Sequence, residues 1–368
     1  MKKILLGTTG LVAVAFIATA ASAETPKVTL GGFSDFQSGW TNDDTTLSQR
    51  SNGFRNDNEI VVKVDGKTDG GLGYGAQIDL EADTTDDANN QGTNASRTFT
   101  YLDSKFGRVE LGGNRSVAST MRVDASTVAT ATGGINGAWV FFANPVAGVN
   151  AITTSKLVTE HGSQTAFGDE TTYNATKVSY YTPKFAGFQA GVSYTPSISD
   201  RGQSVARNDA TGVNDVFDFG LGYEGTFSGV KVAASGTYEF GEGQGAAGAA
   251  GLGTNDVESW NIGALAGYKG FSLAGSYGDW LDSGITGQDG DYWTLGGAYA
   301  AGPVGVSATY LDSNLGGNDF QNLVLGAEYK LAAGLTPYAE VSFFDLSQPG
   351  AANDNDGTVF ILGTQVAF

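Results

Sequence analysis

The sequence predicts an all-β protein, a transmembrane barrel of sixteen antiparallel strands, and three observations carry that prediction. Hydrophobicity alternates with a period of two along most of the chain, as in strands with one apolar and one polar face. The segments so marked number sixteen, an even count. Most approach the about 9–11 residues with which a tilted strand crosses a bilayer. Their connections alternate between short turns and long polar loops, as in barrels with short periplasmic turns and longer outer loops.

The first 23 residues stand apart from this pattern. Lys2 and Lys3 give a basic start, Leu11 to Ala18 is an apolar run, and Ala21-Ser22-Ala23 is a small-x-small exit. This is the pattern of a secretory leader cleaved after Ala23. Gly7 to Gly10 interrupt the apolar run and keep it below the about 20 residues of a spanning helix. Residues 24–368 are then expected to form a single barrel domain, and loss of the two lysines takes the net charge from −19 to −21. No later apolar stretch is long enough for helical insertion.

The first strand, 27–40, sets Val28, Leu30, Phe36 and Trp40 against Lys27, Thr29, Asp35 and Gln37. A second follows at 56–66. The third, 72–82, alternates Leu72, Tyr74, Ala76, Ile78 and Leu80 with Gly73, Gly75, Gln77, Asp79 and Glu81. Strands at 96–104 and 107–114 precede a long gap, and 176–182 and 187–195 follow it. In 215–224, Phe217, Phe219, Leu221 and Tyr223 form the apolar face, and in 229–240 it is Val230, Val232, Ala234, Tyr238 and Phe240. The last seven lie at 257–268, 270–280, 292–300, 303–311, 320–331, 335–344 and 358–368.

Short turns sit at GKTDG, KFG, TPKFAG, TFSG, YKG, AGP and LAAGL, between long loops such as 83–95, 196–214 and 241–256. A cylinder of sixteen strands encloses more volume than its side chains fill. The polar face is therefore expected to line water and the apolar face to meet lipid, with every backbone group paired by closure of the sheet. Trp40, Trp260, Trp280 and Trp293 fall toward the loops, and Phe188, Tyr268 and Phe271 toward the turns, where interfacial girdles belong.

Composition narrows the chemistry. There is no cysteine, which excludes disulfides, thiolate metal sites and cysteine catalysis. The 39 acidic residues against 20 basic ones repel nucleic acid. The single histidine, His161, reads as a polar loop residue, since no GxSxG element surrounds a serine. Gly220 to Gly225 match GxGxxG, but as the lumen phase of a strand with no helix after it. Asn353 to Gly357 suggest a calcium loop, but with Gly357 at the invariant position Ala352 and Gly363 fall where ligands belong. No catalysis and no cofactor are expected; the acidic loops suit divalent cations held loosely, bridging lipopolysaccharide phosphates.

The opening KVTLGGF, the central FGRVELGGNRS and the terminal Phe368, preceded by Phe360, Leu362 and Val366 on one face, add a resemblance. With the strand pattern, they resemble the Gram-negative general porins of the alphaproteobacterial type over the whole mature chain. The resemblance implies a homotrimeric outer-membrane channel for passive diffusion of ions and small hydrophilic solutes. It also implies that Phe368 is the assembly signal read by the barrel-assembly machinery. Small outward residues such as Gly32 and Ser34 suit close approach of neighbouring protomers.

The resemblance further implies that the third loop, 115–174, folds into the barrel and narrows it, loop acids facing wall bases. Candidate acids are Asp124, Glu160, Asp169 and Glu170, and the apolar Ala138 to Phe142 suits packing on the inner wall. Candidate bases are Lys63 and Arg108 on the lumen phase, Arg115 and Arg122 at the loop's base, and Arg50 and Arg55 above the second strand. Arg97 shares its phase with Phe99 and Tyr101, so it is expected to reach the pore only through a bulge or register shift. Phe33, Val61 and Gly113 stand where general porins place bases, which thins the ladder. Twelve acids against six bases on the lumen phase predict a weak cation preference that fades at high salt. Two alternatives stay open: a substrate-specific channel guided by aromatic lumen residues such as Phe33 and Tyr181, and a secreted soluble β protein.

Overall fold

The computed structural model describes residues 25–44, 50–83, 95–144, 149–161, 174–202, 211–245, 255–285, 288–350 and 354–368. The leader with Ala23, and Asp169 and Glu170, lie outside these residues. Sixteen strands form in chain order: β1 Lys27–Asp43, β2 Asn52–Lys67, β3 Gly73–Glu81, β4 Ala95–Ser104, β5 Gly107–Gly113, β6 Thr176–Tyr181, β7 Phe188–Ser197 and β8 Thr211–Phe227. They continue as β9 Val230–Gly245, β10 Val257–Tyr268, β11 Phe271–Ser283, β12 Gly290–Ala301, β13 Val304–Leu315, β14 Asn318–Tyr329, β15 Leu335–Ser347 and β16 Asn355–Ala367. Each pairs antiparallel with its neighbours in sequence, and β1 pairs with β16 from Phe33↔Ala367 to Asp43↔Gly357, closing the barrel.

Several strands run further toward the loops than the alternation predicts, because polar residues there continue the ladder above the apolar band. The turns at the other end are tight. Ser228-Gly229 and Lys269-Gly270 both have positive φ at each residue, the backbone of a two-residue hairpin whose twist matches the strands it joins. Leu30, Phe36, Ile78, Leu221, Ile262, Leu295, Leu325 and Leu362 are exposed on the outer wall, which in water would be a severe liability and in lipid is the required surface. Ring pairs such as Trp40–Phe360, Trp260–Tyr277 and Trp293–Tyr310 band the loop end, and Phe188–Tyr223 and Phe271–Tyr299 band the turn end.

Two expectations about faces are corrected. Trp280 does not belong to the girdle. It is 0% exposed, on the inward phase of β11, and its indole N–H donates to the Lys156 carbonyl at 3.0 Å. On β4 the aromatic phase is the inward one, with no bulge required for Arg97. Phe99 and Tyr101 lie opposite Gln77 and Gly75 and fill the space those positions leave, while Thr98 and Thr100 point out. A bulge does occur, but beyond Arg97, between its pairing with Asp79 and that of Ala95 with Leu80.

The described part of the third loop, 115–144 and 149–161, lies inside the barrel, and the wall is built to receive it. It holds a short helix α1, Val117–Met121, three 3-10 turns between Ala125 and Phe141, and a single helical turn α2, Val158–His161. An irregular segment can be buried only if its backbone groups find partners. Here wall hydroxyls supply them: the amides of Val117, Val123, Ala125, Thr130, Ile135 and Val158 donate to Ser193, Ser235, Thr294, Ser307, Thr309 and Ser259 at 2.8–3.2 Å. Two wall carboxylates clamp it as well, Glu239 accepting from Thr159 and Glu340 from Thr132.

Inward glycines leave the room. A side chain at Gly220 would meet Met121 at 2.7 Å, one at Gly296 would meet Ala125 at 2.7 Å, and one at Gly263 would overlap the Val123 carbonyl. The lumen is also not polar throughout. Trp139 stacks between Phe320 and Phe344 at 6.0 and 5.9 Å, within an apolar cluster that includes Ile135, Leu311, Leu346, Val359 and Ile361. The Ala138–Phe142 stretch thus seats the loop on β13–β16. His161 is likewise packed rather than solvated, edge-on to Trp280 at 5.2 Å.

Candidate functional site

With the loop held along the wall from β7 round to β16, the space left is a cavity of about 620 Å³ bounded by α1 and residues of β3–β9. Arg97, Arg108, Arg115, Arg122 and Lys184 reach it, with Glu110 and Glu224. Most of these charges are paired. Arg97 bridges to Asp79 at 2.5 Å, Arg108 to Glu110 at 2.6 Å, and Lys184 to Glu224 at 2.6 Å. Arg108 also lies over the Tyr101 ring, 3.9 Å from its centroid, and the Tyr101 hydroxyl donates to Asp65. Asp79 is fully buried and Glu110 nearly so, while both guanidiniums are partly exposed. Water in the cavity therefore meets the bases first, with their counterions behind them.

Asp124 and Glu160 face inward into the loop rather than across the cavity. Arg122 lies between them, bridging Asp124 at 2.9 Å and pairing with Glu160 through its terminal nitrogen. Asp124 also caps the first 3-10 turn, accepting from the Ser126 amide at 2.9 Å, and accepts from the Ser155 hydroxyl at 2.7 Å. Burial alone would raise the Asp124 carboxyl, but the Arg122 guanidinium and the serine hydrogen bonds overcome it and hold the group below the usual range. Glu160 is the same: burial works upward, and Arg122, Lys156 and the Ser119 hydroxyl bring it below its ordinary value. For Arg122, burial opposes the charge, and the two carboxylates outweigh it and push it up.

The remaining candidates are dispersed. Arg55 bridges Asp57 at 2.8 Å and lies over the Phe141 ring at 4.1 Å, at the loop end. Arg50 is exposed and lines a second cavity, of about 350 Å³, with Phe141 to Asn144. Near these, Asp57, Glu81 and Asp83 gather with carboxylate oxygens within 4.8 Å of one another. Lys63 pairs with Asp65 at 3.4 Å toward the turns, away from the loop. Lys177, also on the lumen phase, is buried and donates to the carbonyls of Asn114 and Ala175, tying down the base of the loop.

Sequence reasoning missed Lys184 and the buried partners Asp79 and Glu110 as parts of the same site. The i, i+2 spacing of Arg108 and Glu110 on one strand face was the available signal for one pair; nothing local brings Lys184 to Glu224, 40 residues away. Phe368 is exposed at the turn end, its backbone exchanging two hydrogen bonds with Gly32.

Known proteins match this geometry. Relatives include proteins of Rickettsia felis and Rickettsia conorii, 27% and 26% identical, with both chains covered in full. Among solved structures, an anion-selective porin from Comamonas acidovorans superposes with a TM-score of 0.61 at 20% identity, covering 93% of this chain and all of that one. A Rhodopseudomonas blastica porin triple mutant gives 0.59 at 17% identity with the same coverage. Residues 8–349 match the Gram-negative porin family, and with a closed sixteen-stranded barrel narrowed by its own third loop, the chain belongs to that family.

Proposed function

We propose that this outer-membrane channel passes ions and small hydrophilic solutes by passive diffusion, as a homotrimer, with weak cation preference. The observation that carries the reading is the cavity between docked loop and wall, whose charged groups among the described residues are mostly paired with one another. Paired charges in the neck largely cancel, so the chain's overall acidity sets the sign of the preference. The trimer is supported by an outward strip of small polar residues, Ser34 and Asn56 on β1 and β2 and Thr98 and Thr100 on β4, which suits a protein neighbour better than lipid. Export by the leader ending at Ala23, assembly through Phe368, and loose divalent cations at the acidic loops belong to the same proposal.

A second reading, anion preference, is favoured by one observation: Arg97, Arg108 and Arg115 present their charges to the cavity water while Asp79 and Glu110 sit behind. Bilayer conductance of the purified protein across a tenfold KCl gradient tests both. Channel steps with a small reversal potential of cationic sign, growing as salt is diluted, are expected. An anionic sign would give the water-facing bases the decision, and no conductance would end the channel reading.

A further inference from the structure

Charge is distributed along the barrel axis as unevenly as apolar residues are distributed across its wall. Six of the seven turns carry a lysine, at Lys67, Lys105, Lys184, Lys231, Lys269 and Lys330, and Lys27 begins the neighbouring strand. All seven are exposed. Counting each turn or strand terminus with two flanking residues, this end of the described barrel holds eight bases and three acids. The loop end, counted the same way with the third loop set aside, holds two bases and thirteen acids, among them Asp43, Asp44, Asp256, Asp282, Asp289 and Asp291. Two of the eight turn-end bases, Arg108 and Lys184, reach the neck and are paired there with Glu110 and Glu224, and the other neck bases Arg97 and Arg122 are compensated by Asp79, Asp124 and Glu160.

We infer that the channel is axially bipolar and rectifies ionic current; this rests on the channel reading above. An acidic outer mouth concentrates cations and a basic inner mouth concentrates anions, with a near-neutral neck in series. When the outer side is positive, cations move in from the mouth that enriches them and anions from the mouth that enriches them, so the neck fills with both. When the outer side is negative, each ion must pass first through the mouth that repels it, and the neck is depleted. Conductance is therefore greater with the outer side positive. The mouths act over a Debye length, about 10 Å at 0.1 M salt and about 3 Å at 1 M, so the asymmetry belongs to dilute salt. Lys27, Lys231 and Lys330 matter most: the first two lie on the inward phase of β1 and β9 at the rim, and Lys330, one residue past β14, pairs with inward Glu328.

The test uses oriented channels of the full mature protein in planar bilayers. The chain has no cysteine, so Ser199→Cys in an exposed outer loop, blocked by an impermeant thiol reagent added to one side, reports the orientation. In 0.05 M KCl the current at one voltage should be roughly twofold larger with the outer side positive, and the ratio should approach one in 1 M KCl. The triple variant Lys27→Gln, Lys231→Gln, Lys330→Gln should keep its conductance and lose most of the asymmetry. Magnesium added to the outer side alone should lower the ratio without any mutation. Symmetric currents in dilute salt, or an undiminished ratio in the triple variant, would overturn the inference and leave the channel standing. Absence of conductance at every salt would remove both.

Discussion

Arg122 is the residue on which the loop's interior depends. It is almost fully enclosed and compensates both Asp124 and Glu160, with Lys156 adding a longer-range attraction on Glu160. Removing one member of such a group leaves an uncompensated buried charge, at a cost of about 3–5 kcal/mol. Arg122→Met should therefore release the loop while the barrel still forms, read as protease cleavage within 115–174 of a protein that keeps its heat-dependent gel shift. A loop as resistant as the parent's would contradict the assignment. The pH dependence has a definite sign. Asp124 and Glu160 titrate below their ordinary values when docked, so their contribution is complete above the ordinary carboxylate range, about pH 4–5, and fades as pH falls through the depressed values. The loop should stay protected from pH 8 to 5 and loosen only in stronger acid; release near pH 6 would show that other groups hold it.

At the scale of the element, the inward face of β7–β14 is a docking track. Glycines give clearance and Ser or Thr hydroxyls take up loop amides, so the strand residues that look featureless in sequence are the ones that place the constriction. Gly263→Val puts a branched side chain onto the Val123 carbonyl, where backbone and not a flexible tip must yield. The expected outcome is a normally folded barrel with a displaced loop and single-channel conductance changed by more than half. Unchanged conductance would mean that the loop does not set the passage. The GxGxxG match at 220–225 finds its physical meaning here, since Gly220 receives Val117 and Met121. The alternation alone marked Gly220 as inward, but only the loop's path says what it makes room for.

At the scale of the whole molecule, Ser34, Asn56, Thr98 and Thr100 interrupt the apolar outer wall over β1–β4. Polar groups facing hydrocarbon are costly, and a neighbouring protomer relieves them. Cross-linking in mild detergent should give trimers, and a paired Asn56→Lys, Thr98→Lys variant should shift them to monomers without loss of the barrel. Trimers that survive both charges would place the contact elsewhere. A protomer contact at this strip would also account for the reversed phase of β4, whose aromatics turn inward against Gly75 and beneath Arg108.

The sequence by itself determined the number of strands, their order, their turns and, wherever the alternation is unbroken, which face is which. These are local properties: a strand repeats every two residues, and lipid demands an apolar side chain at each outward position independently of its neighbours. Only the tertiary structure decided how charges pair, because Arg122 with Glu160 and Lys184 with Glu224 are joined across about 40 residues by the path of the chain. It likewise decided that Asp124 and Glu160 are enclosed, that Trp280 turns inward onto Lys156, and that part of the lumen is an apolar seat for Trp139. A loop residue has no periodicity to reveal its surroundings. Its burial depends on the wall it meets, and that wall exists only once the barrel has closed.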